Sequence, residues 1–213
     1  MASNESWAQI FKRLIRNVFI MATDKVNSHK NDSDLINDNH IDMNSSELET
    51  DQYFMQRAYQ LALMAEQHDE IPVGAVVVAN GKIIGEGYNQ SIMLNDPSAH
   101  AEMIAIRQAG QYLNNYRLID CTLYVTLEPC PMCAGLSVHG RVKRLVYAAN
   151  DNKTGAAGSL LNLVNHPDLN HQIEVTEGIL AEECSSLISA FFKRRRAEKK
   201  SLKQELKLKE ELK

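Results

Sequence analysis

From Tyr53 onward the apolar and polar positions follow two distinct periods. In YFMQRAYQLALMAEQ (53–67) apolar residues recur three and four apart, the spacing of an amphipathic helix. VGAVVVANGKIIGEGYN (73–89) follows, two β-rich runs joined by Asn80-Gly81, a dipeptide that predicts a tight hairpin. Asp96-Pro97 then reads as the start of a helix, with Asp96 as N-cap and Pro97 in the first helical position, running through AHAEMIAIRQA and stopping at Gly110. CTLYVTL (121–127) predicts a strand, CPMCAGLSVH (130–139) a short helix ended by Gly140, and RLVYAA (144–149) and HQIEVTE (171–177) two more strands. ILAEECSSLISAFFKRRRAEKK (179–200) predicts a long helix with a charged end. Helices interleaved with strands in this order predict an α/β domain with one sheet between helices.

The first fifty residues break this regularity. WAQIFKRLIRNVFIM (7–21) has near-helical apolar spacing; a secretory signal is one reading, though Lys12, Arg13 and Arg16 interrupt the stretch and no clean cleavage site follows, and a surface-seeking amphipathic helix is another. SHKNDSDLINDNHIDMNSSELET (28–50) reads as a polar, disordered linker. The expected organisation is an N-terminal extension over 1–51, dispensable or upstream of an alternative start at Met43, a domain over 52–196, and a charged helical tail over 197–213.

Composition narrows the class. Hydrophobic residues at 44% suit a packed core, and no apolar run approaches the roughly 20 residues that span a bilayer, so no membrane partner is expected. The four cysteines are too few and too unevenly spaced for a disulfide scaffold, which favours a reducing compartment, the cytoplasm. Charge is unevenly placed. Residues 52–192 carry 8 basic and 14 acidic side chains, whereas residues 193–213 carry 10 basic and 4 acidic ones. If the partner is a polyanion, the tail is where it touches.

The chemistry concentrates in two short motifs. Cys130 and Cys133 form a C-x-x-C at a predicted helix N-terminus, where the helix dipole favours the thiolate. A thioredoxin-like redox pair is one rival reading, and a structural zinc ribbon another. The ribbon needs a second cysteine pair, which Cys121 and Cys184, 63 residues apart, cannot form. PSAHAEM (97–103) supplies the missing ligand. His100 with the two cysteines makes a three-ligand set whose fourth tetrahedral position stays open for water, the pattern of a catalytic zinc that brings that water's pKa to about 7. Glu102, two residues past the histidine, can point into the site without ligating and can carry protons. Either motif alone is weak, because a lone histidine at a helix start is more often structural. The order H-A-E then P-C-P-M-C, with 26 residues between Glu102 and Pro129, is specific. Cys121 and Cys184 read as core residues.

That order resembles the H-x-E…P-C-x-x-C signature of the zinc-dependent nucleobase deaminases. Beyond it, IPVGAVVV, GEGYN, DPSAHAE, NYRLIDCTLYVTLEPCPMCAG, DNKTGAAGSL, EVTEGILAEEC and FFKRRR closely resemble the bacterial tRNA-specific adenosine deaminases over about 53–196. The resemblance implies a cytidine-deaminase-like three-layer α/β/α fold with a mixed five-stranded sheet, and a homodimer. It implies one zinc per subunit and deamination of adenosine to inosine at the wobble position (position 34) of a tRNA anticodon, chiefly in an arginine tRNA. By the same resemblance His100, Cys130 and Cys133 hold zinc and Glu102 shuttles protons. Asn89 hydrogen-bonds the flipped nucleoside. Ile71, Pro72 and Val73 line the base pocket with Leu127 and Glu128 nearby. Asp151 contacts the anticodon beside the target, and Phe192, Arg194, Arg195 and Arg196 lie on an RNA-facing helix. Gln90 departs from the family, whose members often carry arginine there. Other members act on free cytosine, guanine or a riboflavin intermediate, and the two motifs alone do not exclude these. A non-catalytic RNA-binding subunit is disfavoured because a structural zinc has no use for Glu102.

Overall fold

The structure, a computed structural model, describes residues 46–211; the readings made for residues 1–45 lie outside it. Helix α1 spans Glu47–Gln67. It begins earlier than the apolar pattern suggests, because Ser46 and Glu49 form a reciprocal capping box. SELET, read above as linker, is therefore the cap and first turn of the helix. Just past that turn Asp51 is buried and accepts from Tyr124 Oη at 2.9 Å and from Arg144 at 2.8 and 2.7 Å. The satisfied carboxylate ties α1 to the sheet.

Strands β1 (Gly74–Ala79) and β2 (Lys82–Tyr88) pair antiparallel across Asn80-Gly81. Both turn residues have positive φ, 51° and 71°, as a type I′ hairpin requires. A one-turn helix α2 (Ser91–Leu94), not anticipated from the sequence, precedes α3 (Ala101–Leu113). Then come β3 (Cys121–Leu127), α4 (Pro131–His139), β4 (Arg144–Ala149), β5 (Glu174–Glu177) and α5 (Ala181–Glu211). The sheet order is β2-β1-β3-β4-β5; β1 is antiparallel to β2 and β3, while β3, β4 and β5 run parallel. This is the expected mixed five-stranded sheet flanked by helices.

Strand alternation sorts the core into two clusters. Ala75, Val77, Leu123, Val125, Leu145 and Tyr147 face α3 and α4. Val76, Val78, Tyr124, Val146 and Ala148 face the other way, onto Phe54, Met55, Ala58 and Leu61 of α1 and Cys184 of α5. Cys121 and Cys184 are both buried, as expected of core residues.

Close approach of α3 to the sheet positions the site. A Cβ on Gly87 would lie 2.3 Å from the Ala101 carbonyl oxygen and 2.9 Å from the Ala105 nitrogen. Only hydrogen fits there, and Ala101, Ala105 and Ala109 keep the helix face equally small. Gly87→Ala is expected to cost about 1–3 kcal/mol by overpacking and to lower the thermal midpoint by several degrees. An unchanged midpoint in a thermal melt would contradict this packing.

Candidate active site

Helix α3 begins four residues later than the Asp96-Pro97 signal suggests. Asp96 instead closes a local turn, accepting from the Ser98 N–H at 2.8 Å and the Ser98 hydroxyl at 2.7 Å. The helix also runs through Gly110 to a left-handed Asn114, with φ 49°. The late start makes His100 the N-cap residue, yet its side chain does no capping. Asn89 does that work from β2's end, its Oδ1 accepting from the Ala101 N–H at 2.9 Å. In α4 the N-cap is Cys130, again with no side-chain capping bond, and Cys133 lies one turn on. Two helix N-termini therefore converge with three metal-binding side chains free of other duties.

The His100 Nδ1 lies 3.6 Å from Cys130 Sγ and 3.6 Å from Cys133 Sγ, and the three donor atoms lie within 4.8 Å of one another. A tetrahedral zinc with ordinary Zn–N and Zn–S lengths separates its nitrogen and sulfur ligands by about 3.6 Å, so the donor set fits that ion. The electrostatics agree. The Cys130 thiol is pulled down to about 4, chiefly by the hydrogen bond from Cys133, with His100 adding to it. Cys133 is pushed up by the same bond and by burial. Zinc is ligated by thiolates, so its binding would displace the thiol protons. The hydrogen bond to Cys130 likewise raises the His100 pKa.

Glu102, in the first turn of α3, is 3% exposed and stands outside the ligand group. Burial pushes its carboxyl above the usual carboxylate range, opposed by its own backbone N–H and by His100. His100, Glu102 and Cys130 open onto a cavity of about 620 Å³, within the range of small-ligand sites.

The same cavity is lined by Ile71, Val73, Asn89, Leu127, Glu128, Asp151, Phe192 and Arg196, all named from the sequence. Pro72 and Cys133 are both buried and do not line it. Arg194 and Arg195 do not line it either. Arg194 pairs with Asp69 at 2.9 Å and Glu198 at 3.2 Å and lies over the Phe191 ring, and Arg195 pairs with Glu198 at 3.1 Å. Such exposed pairs are weak and do not fix either side chain. Sequence reasoning missed Glu70, Ile92, Ile188 and the run Asn150, Asn152, Lys153 and Thr154. Glu70 is 2% exposed, and its Oε1 accepts from the Ile92 and Met93 N–H groups at 2.8 and 2.7 Å. No local pattern marks it, because its partners lie 22 and 23 residues away.

Comparison with known proteins agrees with this geometry. Residues 48–149 match the family model described as the cytidine and deoxycytidylate deaminase zinc-binding region. The chain is 55% identical over 153 residues to a tRNA-specific adenosine deaminase of Haemophilus influenzae, covering 71% of this chain and 88% of that one. It is 46% identical over 156 residues to a tRNA-specific adenosine deaminase of Bacillus subtilis, covering 73% and 97%. A solved structure from work on A-to-I editing by tRNA:A34 deaminases at the wobble position of transfer RNA superposes with a TM-score of 0.62 at 40% identity, covering 63% of this chain and 98% of that one. The chain belongs to the zinc-binding cytidine and deoxycytidylate deaminase family. Its cofactor is zinc. Among the described residues no helix is long and apolar enough to cross a membrane.

Proposed function

We propose that the protein is a tRNA-specific adenosine deaminase that converts adenosine to inosine at wobble position 34 of the anticodon, chiefly in an arginine tRNA with an ACG anticodon. Beyond the relatives' shared activity, one observation carries the reading. Glu102 is a buried carboxylate that lines the same cavity as the metal-binding set without belonging to it. That is the arrangement of a proton carrier rather than of a structural metal site.

His100 Nδ1, Cys130 Sγ and Cys133 Sγ hold the zinc. When bound, the ion supplies the Lewis-acid charge that makes a water nucleophilic near neutral pH. Glu102 accepts the proton lost by the attacking water, delivers it to adenine N1, and carries a second proton to the departing ammonia. An anticodon base is already single-stranded, so turning it into the cavity costs only a few kcal/mol. Ile71, Val73 and Leu127 supply the apolar walls; Asp151 and Phe192 line the same cavity and are assigned the contacts to neighbouring nucleotides. Arg196 and Lys153 offer positive charge at the lining, and Arg194 and Arg195 exchange their carboxylate partners for phosphate. The same reading makes the protein a cytoplasmic homodimer.

Asn89 presents a donor to the substrate, because its oxygen is already spent on the Ala101 N–H. Asn89→Asp keeps that cap and removes the donor. It is expected to lower kcat/KM by roughly 10- to 100-fold, the effect of one hydrogen bond in a buried site, with zinc content unchanged. Equal kcat/KM would remove Asn89 from substrate binding.

The test of the function is sequencing of a transcribed arginine tRNA with an ACG anticodon after incubation with the zinc-loaded protein. Inosine reads as guanosine. Conversion at position 34 is expected; an unconverted tRNA in the presence of bound zinc would refute the substrate assignment and turn attention to free nucleobases.

A further inference from the structure

Two residues before Cys130, Glu128 carries a carboxylate that is 3% exposed and stands outside the metal-binding group. Its oxygens are spent on one loop, the segment between β4 and Asn162. Oε2 accepts from the Asp151 N–H at 3.0 Å; Oε1 accepts from the Ala157 N–H at 2.9 Å and the Ser159 N–H at 3.0 Å. The approach is close enough to exclude a side chain, since a Cβ on Gly155 would lie 2.3 Å from Oε2. One further tether joins the same two segments, from the Ala156 N–H to the Pro129 carbonyl at 2.8 Å. The loop places Asp151, Asn152, Lys153 and Thr154 on the cavity wall, and the Glu128–Pro129 segment leads directly into Cys130.

We infer that Glu128 is a positioning residue that fixes the rim loop 151–159 to the metal-bearing end of β3 and α4, so that the RNA-facing wall of the cavity is held in register with the reacting atoms. Three N–H groups converge on its two oxygens. A carboxylate accepts on both; an amide must turn its own donor towards at least one of them. The role therefore needs a carboxylate, and it belongs to substrate binding, not to chemistry. In its kinetic consequence this rests on the tRNA deaminase reading above.

The full-length zinc-loaded protein and its Glu128→Gln variant would be compared in three ways. Amide hydrogen exchange over 151–159 is expected to rise about tenfold or more in the variant, with exchange in α3 unchanged. Zinc content is expected to stay the same. With the anticodon stem-loop, KM is expected to rise about tenfold while kcat changes less than about threefold. Unchanged exchange over 151–159 would overturn the proposal, as would loss of zinc, or a fall in kcat at constant KM. Gly155→Ala leaves the carboxylate in place but fills the space it needs. It is expected to reproduce the exchange change, and normal exchange there would overturn the proposal even if Glu128→Gln does not fold. Exchange does not depend on the substrate. A wild-type protein that edits no tRNA refutes the function and leaves the loop assignment to be decided by exchange.

Discussion

Glu102→Gln is expected to keep its zinc and to lose turnover by roughly 10²–10⁴-fold, the range ascribed to general acid–base catalysis. The amide has nearly the same shape, so the first turn of α3 and its packing against β2 should survive. Its neutral amide is too weakly basic to take up a proton and return it, and the proposed path moves two protons through this one side chain. Glu102 is outside the group of three donors, so metal content should not respond. Single-turnover conversion to inosine, measured beside elemental zinc, reads both quantities from one preparation. Activity within a few-fold of wild type would remove Glu102 from the mechanism, and loss of zinc would make it a ligand.

Cys130→Ser is expected to lose the metal itself, and with it all activity. A serine hydroxyl is not ionised at neutral pH, whereas the Cys130 thiol is held near 4 by its neighbours and is ready to ligate as the anion. Replacing it leaves His100 and Cys133, two ligands where a catalytic site of this type uses three. Elemental analysis should fall from about one zinc per chain to near zero, and added zinc should not restore turnover. Cys184→Ser is the control, because that thiol is buried against α1 and the opposite face of the sheet. It should retain zinc at some cost in stability. Full zinc occupancy in Cys130→Ser would refute the ligand assignment.

Several features of this site are visible only in the folded chain. His100 could be suspected from H-A-E, but its availability depends on Asn89 capping α3 in its place, a bond across twelve residues and two elements. Glu128 could be placed near the pocket from its motif. That its carboxylate is committed to Asp151, Ala157 and Ser159 follows from the path of the loop, which no periodicity reports. The three arginines look alike in FFKRRR. The fold points Arg196 at the cavity and gives Arg194 and Arg195 to acidic neighbours, because successive residues of a helix face different directions. The start of α1 was legible, since Ser46 and Glu49 have the capping-box spacing, but the apolar count alone placed it six residues late.

The sequence by itself determined whatever depends on neighbours along the chain. Asn80-Gly81 sets a hairpin because both residues accept positive φ. The alternating strands set which side chains share a face. The ordered pair of motifs brings a histidine, a glutamate and two cysteines to helix starts. Only the tertiary structure decided the sheet order, the late start of α3, the convergence of two helix N-termini on one ion-sized gap, and the partners of Asn89, Glu70 and Glu128. Those depend on groups distant in sequence meeting through the close packing of helices on glycine-bearing strands. Buried polar atoms then take whichever partner that packing brings within reach.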